Sequence, residues 1–585
     1  MTNQSEKLSR ASRLTIGLFL VLAIFLVRLF YIQVINHEEF LAKANQMQIS
    51  KRTINPERGQ LYAKDQNGEI VPLVLNQTVY TVFADPTQVK DVKKVEKLVT
   101  DVAGDQMIEA NFDKLTSTTL QYVVLARQIT HSQAEKIQEA DLAGVGLQSS
   151  SRRVYTEGKL ANQVLGFVNA DGEGQYGLEQ YLNTELTGEA GLLQSVTDVR
   201  RIPLTIGVHD VSIPAKDGTD YVLTIDRSVQ AQAESILQEG LNNVNSDSGS
   251  IIVMDPNNGH IVAMANYPDF DPSNYTKVTD ATAFQNHAVS YAFEPGSVMK
   301  AMTTSMSLDL GTINPDTTFT DPNCMQIDDA KICNAEGDEK FTGRTFTMTK
   351  VLQYSLNTGV MWQLQQIGGG DITKAARQTM YEYFHDKYRF GQKTGVEQPG
   401  EVGGTIFSPD NVQGNKVRYA NMTFGQGVSV TMVQMAAAFS ATVNGGTYYQ
   451  PTLIDGTLDQ DGKETANQSK VVSDNVISDS ASSNIRKMMF EARRGSWPTA
   501  DGGYYVGSKT GTAQIYDDAT KTYSKDRTTG TTIGFGADKD GNAQYVIMVR
   551  IEYSGKQGFA GSVAANPVFT KMSNWLAQYE GITKP

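Results

Sequence analysis

The sequence predicts an α+β protein held by one N-terminal transmembrane helix, and three observations carry that reading. An apolar run, LTIGLFLVLAIFLVRLFYIQVI, fills residues 14–35. Strand-like segments stand at both ends of the C-terminal part of the chain, with helical spacing between them. Hydrophobic residues make up 40% and charged residues 20%, the balance of a folded chain rather than a disordered one. With 585 residues, more than one domain is expected. A net charge of −13 argues against a nucleic-acid binder. The 2 cysteines are too few for a disulfide scaffold, and among the 6 histidines no His-Glu-x-x-His occurs.

At about 1.5 Å per residue the apolar run extends roughly 33 Å, enough for the hydrocarbon core of a bilayer. A cleaved signal peptide would end at small residues; here Tyr31, Ile32, Gln33 and Val34 follow, so the run reads as an uncleaved anchor. Lys7, Arg10 and Arg13 precede it against Glu6 alone. The positive-inside rule makes residues 1–13 a cytoplasmic tail and places the rest outside the membrane. Arg28 has two readings. It snorkels to the headgroups, or it contacts a partner membrane protein.

Residues 36–215 form a mixed, mostly polar segment, expected to be an elongated membrane-proximal domain. VYTVFA (79–84) is strand-like, residues 90–148 look helix-rich, and the glycines of 158–191 suggest tight turns. The texture changes near 216, where a second domain, 216–585, is expected to begin. YVLTID (221–226) is a strand, and Val229, Ala233, Ile236, Leu237 and Leu241 recur at helical spacing. Residues 249–268 read as two strands joined at Asn258-Gly259. TTIGFGA (531–537) and AQYVIMVRIEY (543–553) are further strands, and residues 568–579 are a closing helix. One sheet is therefore expected to use both ends of this domain.

The chemistry rests on three clusters. Ser297 and Lys300 form the one Ser-x-x-Lys in the chain. Residues i and i+3 share a helix face, so the amine can reach the hydroxyl. Pro295-Gly296 opens the helix, whose N-terminal dipole favours developing negative charge at Ser297. Lys300 must be neutral to accept a proton, which burial or a nearby positive charge would achieve. The second cluster is Ser355-Leu356-Asn357, with Ser355 suited to relay a proton and Asn357 to hold an amide. Two other Ser-x-Asn matches, at Ser473 and Ser482, read as surface turns or helix caps. The third is Lys509-Thr510-Gly511-Thr512, flanked by β-branched and aromatic residues that argue for a strand. Gly511 lets a substrate backbone approach, while Lys509 and Thr510 offer charge and hydroxyl to a substrate carboxylate. Lys393-Thr394-Gly395 runs into Gln398-Pro399-Gly400 and reads as a loop.

Ser-x-x-Lys, Ser-x-Asn and Lys-Thr-Gly in this order resemble the penicillin-binding proteins. FEPGSVMK (293–300), SLN (355–357) and GSKTGTAQ (507–514) carry the likeness, and RLFYIQV (28–34) after the anchor is similar to class B members, the monofunctional D,D-transpeptidases. KTGVEQPGE (393–401), residues 424–446 and residues 254–272 are also similar to that class. The family's early Arg-Gly segment is altered here, reading RGQLYAKDQNG (58–68).

The resemblance implies a C-terminal penicillin-binding transpeptidase domain, with an antiparallel sheet flanked by helices and a helical subdomain, above a pedestal or dimerisation-type domain. It implies peptidoglycan cross-linking through a serine acyl-enzyme and covalent inhibition by β-lactams. Ser297, Lys300 and Ser355 would be catalytic; Asn357, Lys509, Thr510, Gly511 and Thr512 would bind substrate. No metal or organic cofactor is implied. The substrates would be stem peptides, a D-Ala-D-Ala donor and an amine acceptor. No Glu-Asp-x-x-Phe signature of a glycosyltransferase occurs, so a multi-span membrane glycosyltransferase is implied as partner, along with other division proteins, with Arg28 and the transmembrane helix on the contacting face. SLNTGV (355–360) resembles the division branch rather than the elongation branch. An elongation-type enzyme, a D,D-carboxypeptidase and a class D-like β-lactamase are the alternatives. Cys324 and Cys333 are open to either a local disulfide or two free thiols.

Overall fold

The computed structural model describes residues 9–40, 49–196, 211–335, 337–517, 522–553 and 560–585. Of the charges that set the expected orientation, Glu6 and Lys7 lie outside these residues. Two compact units form: Met1–Arg58 with Thr187–Gly218, and Gly59–Leu186 with Thr219–Pro585.

The first unit carries the anchor. Its helix, Arg10–Phe30, starts at Ser9, whose hydroxyl accepts the Ser12 N–H at 3.2 Å, an N-cap for an otherwise orphan donor. A π-helical turn, Tyr31–Ile35, extends it, and no side chain of the helix is buried. Arg10–Ile35 is long and apolar enough to cross a membrane, with a mean hydropathy of 2.6. An antiparallel three-stranded sheet, ordered Ile49–Ile54, Gly191–Val196 and Val211–Ile213, completes the unit.

The second unit holds two larger sheets. In the seven-stranded one, Asp220–Asp226 runs between Ile454–Leu458 and Leu61–Lys64, so residues far apart in sequence share one layer. Ile70–Ala84 pairs there with Leu61–Lys64, Val123–Ile129 and Val145–Tyr155. Residues 90–148 are thus less helical than expected. Val92–Ala103 and His131–Glu139 are helices, but Val123–Ile129 is a strand. Val123 and Ile129 pair with Ala84 and Tyr80, and with Leu125 they are buried in a core shared with Val95 and Val99 of helix Val92–Ala103; such remote contacts override the local signal.

The five-stranded sheet is antiparallel, in the order Ile261–Tyr267, Gly249–Met254, Ala543–Tyr553, Thr522–Ala537, Tyr505–Asp517. Both ends of the domain supply strands, and Gly249 pairs with Ile551. Alternation decides what each face meets. Ile251, Val253, Ile547 and Val549 pack with Leu237 of helix Arg227–Val244 and Phe569 of helix Asn566–Tyr579. Their neighbours Ile252, Met254, Val546 and Met548 join the larger core, built on helices that include Met299–Asp309, Asn357–Ile367 and Met432–Val443. Every residue of Met432–Val443 is buried, as a helix apolar all round must be. Lys393–Gly395 is a loop, as expected. Ser482 is not a surface turn or cap. It lies fully buried inside helix Asp479–Ser496, accepting the Gly445 N–H at 3.0 Å, because it falls on that helix's core face.

Candidate active site

The turn that presents Ser297 is set by backbone packing. Gly296 has φ of 64°, and a Cβ there would lie 2.7 Å from the Thr512 carbonyl oxygen. Only glycine fits both constraints. Its N–H donates to the Gly425 carbonyl at 3.0 Å, and Thr531 Oγ1 donates to the Pro295 carbonyl at 3.0 Å. Ser297 sits half-buried in the short 3-10 turn Gly296–Val298, which runs into helix Met299–Asp309.

That helix buries Lys300 completely. Its Nζ donates to Ser355 Oγ at 3.0 Å and to the Ser355 carbonyl. Burial, and secondly the charge of Lys509, push the Lys300 ammonium well below the usual lysine range; Asp338 acts the other way. Ser355 ends helix Met348–Tyr354 in the left-handed region, φ 56°, a conformation that a serine adopts only when the surroundings demand it. The kink turns Ser355 back to Lys300 and starts the next helix, Asn357–Ile367.

Asn357 donates through Nδ2 to the Cys333 carbonyl at 2.9 Å. Cys333 is disulfide-bonded to Cys324 across the hairpin Cys324–Ile327/Ala330–Cys333, which resolves the open choice in favour of the bridge. The next residue, Asn334, accepts the Thr358 N–H at 3.1 Å and donates to the buried carboxylate of Asp321. Thr358 Oγ1 donates to the same carboxylate at 2.7 Å. The second motif is therefore held by a network that no short sequence pattern announces.

The third motif lies on the edge strand Tyr505–Asp517. Lys509 is buried and donates to the Thr510 carbonyl at 2.9 Å; burial lowers it to about 7. A Cβ on Gly511 would meet Thr531 Oγ1 at 2.4 Å, the Pro295 carbonyl oxygen at 2.8 Å and the Val298 nitrogen at 3.0 Å. The backbone that approaches this glycine is thus the turn of Ser297. Thr512 Oγ1 accepts the Gly561 N–H at 3.0 Å. Behind the strand, the fully buried Arg493 donates to Ser508 Oγ at 2.7 Å and pairs with Asp501.

The structure therefore brings Lys300 and Ser355 into direct contact, packs the Ser297 turn against Gly511 and Thr512, and couples Lys300 electrostatically to Lys509. Gly425, Thr531, Arg493 and Asp321 support these residues and were missed in the sequence. Gly425 lies inside a segment that carried the family likeness, and that was its one signal.

Two family models match the chain. A penicillin binding protein transpeptidase domain covers residues 249–574, and a penicillin-binding protein dimerisation domain covers 53–223. Stage V sporulation protein D of Bacillus subtilis is 32% identical over 97% of this chain and 85% of its own. Penicillin-binding protein PbpB of Mycobacterium tuberculosis is 31% identical over 79% of this chain and 67% of its own. Among solved structures, a peptidoglycan synthetase from Bifidobacterium adolescentis superposes with a TM-score of 0.71 at 27% identity, covering 92% of this chain and 98% of the other.

Proposed function

The chain belongs to the penicillin-binding protein family, and from that premise we propose how its residues perform the transpeptidase reaction. It is a serine D,D-transpeptidase of peptidoglycan synthesis, inhibited covalently by β-lactams. The observation that carries the assignment of roles is Lys300, a fully buried amine 3.0 Å from Ser355 Oγ and one helical turn from Ser297. A neutral amine has two N–H groups and one lone pair. Both N–H groups are spent on Ser355, so the lone pair is left for the proton of Ser297.

Ser297 Oγ attacks the carbonyl carbon between the two terminal D-alanines, and Lys300 takes its proton. The oxyanion is held by the N–H groups of Ser297 and Thr512, each donor contributing about 3–4 kcal/mol. As the C–N bond breaks, Ser355 passes the proton from Lys300 to the leaving D-alanine. The acceptor amine then forms the new C–N bond, the Ser297 ester bond breaks, and the amine's proton returns to Ser297 Oγ. Lys509, Thr510 and Thr512 hold the donor's carboxylate, Asn357 holds a stem-peptide amide, and Gly511 keeps the strand close to the nucleophile. A β-lactam enters the same first step, and its acyl-enzyme persists. Intact mass after incubation of the full-length chain with a penicillin tests this: one stable adduct is expected, absent in Ser297→Ala. An equal adduct in the variant would assign the chemistry elsewhere.

Residues 36–215 serve as the pedestal and 216–585 as the catalytic domain. The N-terminus is cytoplasmic and the catalytic domain extracytoplasmic, supported by Arg10 and Arg13 before the anchor. Division is the favoured setting, supported by SLNTGV at 355–360; the name of one relative supports a second setting, sporulation. A fluorescent fusion that ignores the septum of dividing cells would remove the first. A multi-span glycosyltransferase is the partner. Arg28, whose guanidinium stands 5.5 Å from the Tyr31 ring, is the charged side chain within residues 14–35 that would meet it. Arg28→Leu should lower co-purification of that enzyme, and unchanged recovery would free Arg28 of the role.

A further inference from the structure

Arg493 and Arg550 are both 1% exposed, but their surroundings differ. Arg493 gives its nitrogens to Asp501, Ser508, Asn566 and Thr570. Arg550 reaches one acceptor, Glu552 Oε1 at 3.1 Å. Its Nε, and the Oγ of Ser250 across the ladder, make no hydrogen bond among the described residues. Val546 and Met548, its neighbours on the same face of strand Ala543–Tyr553, are apolar core residues. A buried cation with an unmet N–H costs free energy that a methionine at this position would not.

What the guanidinium touches is the chain that leads to the nucleophile. Its central carbon lies 4.6 Å from the centroid of the Tyr291 ring and 5.7 Å from that of Phe293, both cation–π distances. Phe293 exchanges two backbone hydrogen bonds with Val430, each 3.0 Å, and the Pro295 carbonyl accepts Thr531 Oγ1 at 3.0 Å. Thr531 pairs with Arg550 on one side and with Gly511 on the other. Segment 291–295 is thus seated on the sheet by its rings and by one carbonyl, two residues before Ser297. Thr512 follows Gly511 on the edge strand of the same sheet. The seating of the segment therefore sets the separation of the two oxyanion donors, the N–H groups of Ser297 and Thr512. We propose that Arg550 is a positioning residue for acylation, holding the Ser297 turn at the height where both donors meet one oxyanion. The proposal rests on the transpeptidase reading of Ser297, and Arg550 acts through the two rings. Glu552 orients the guanidinium and is held on its other oxygen by Arg527 at 2.7 Å, so it keeps a partner when Arg550 is replaced.

The test uses the full-length chain in detergent and benzylpenicillin. Rapid-mixing kinetics separate the non-covalent dissociation constant, the acylation rate and the fraction of chains that react, beside the melting temperature. In Arg550→Met the acylation rate should fall about tenfold, the loss expected of a displacement well under 1 Å. The dissociation constant should stay within about twofold and the reacting fraction should be unchanged, since oxyanion contacts act only in the transition state. The melting temperature should hold or rise, as replacement of a buried ion by an apolar side chain allows. A residue that only supported the fold would lower the melting temperature and the reacting fraction together and leave the rate of the remaining chains as it was, and that result would overturn the proposal. Tyr291→Leu, which leaves the sheet intact, should slow acylation likewise. The double variant should be no slower than the slower single one, because both remove one contact. Losses that multiply would show that Arg550 does not act through Tyr291. Should Arg550→Met not fold, an unchanged acylation rate in Tyr291→Leu overturns the proposal by itself. A wild-type chain that is not acylated at all would instead remove the transpeptidase reading.

Discussion

Two lysines at one site have opposite duties, and their surroundings separate them. Lys300 works as a base and must be neutral, while Lys509 works as a carboxylate anchor and must be charged. Burial lowers both, Lys300 well below the ordinary range and Lys509 to about 7. Acylation should therefore rise with pH as Lys300 loses its proton and decline as pH passes through about 7, where free Lys509 becomes neutral. Lys509→Arg keeps a permanent charge, so it should retain the acidic limb and lose the alkaline one in a pH profile of kcat/KM for acylation. An alkaline limb unchanged in that variant would show that another group sets it. The same burial acts on stability. Between about 7 and 10 the unfolded chain binds the Lys509 proton and the folded chain does not, so Lys509's contribution falls as pH drops through that window.

At the scale of elements, the site is a contact between the turn of Ser297 and the edge strand of Lys509, made almost entirely by backbone. Gly296, Gly425, Gly511 and Gly561 interlock there: a Cβ on Gly425 would lie 2.1 Å from the Gly296 carbonyl oxygen, and one on Gly561 2.2 Å from that of Gly511. Gly511→Ala should push the strand from the nucleophile. A displacement near 1 Å costs about 100-fold in rate, while overpacking costs about 1–3 kcal/mol of stability. The check is the acylation rate beside the melting temperature. A variant that acylates at the wild-type rate would mean that the contact does not position Ser297. The strand, the helix and the three motifs are legible in sequence because each lies within a few residues of itself. Gly425 and Thr531 are not, since each earns its place from a partner over a hundred residues away, as in Thr531 Oγ1 to the Pro295 carbonyl.

For the whole molecule, the catalytic sheet closes only when the end of the chain arrives. Gly249–Met254 sits between Ile261–Tyr267 and Ala543–Tyr553, and helix Asn566–Tyr579 covers one face through Phe569, Met572 and Leu576. A chain ending at residue 565 keeps Ser297, Lys300, Ser355 and Lys509, yet uncovers that face. Losing three buried apolar side chains of this size forfeits about 5–9 kcal/mol, comparable to the stability of a domain. It should not bind penicillin, and its thermal unfolding should lose cooperativity. Normal labelling of the truncated chain would show that the site folds without its closing helix.

The sequence by itself determined the anchor, the order of the three motifs, and the strands and helices whose periodicity is their own. These depend on hydropathy, on helix geometry and on residues three apart, all local quantities. Only the tertiary structure decided that residues 123–129 form a strand, that Cys324 and Cys333 join, that Gly511 is required by the nucleophile's own turn, and that Asp321 and Arg493 brace the second and third motifs. Each of these depends on groups brought together by chain closure over long separations, and the burial that retunes Lys300 and Lys509 exists only once that closure has expelled water.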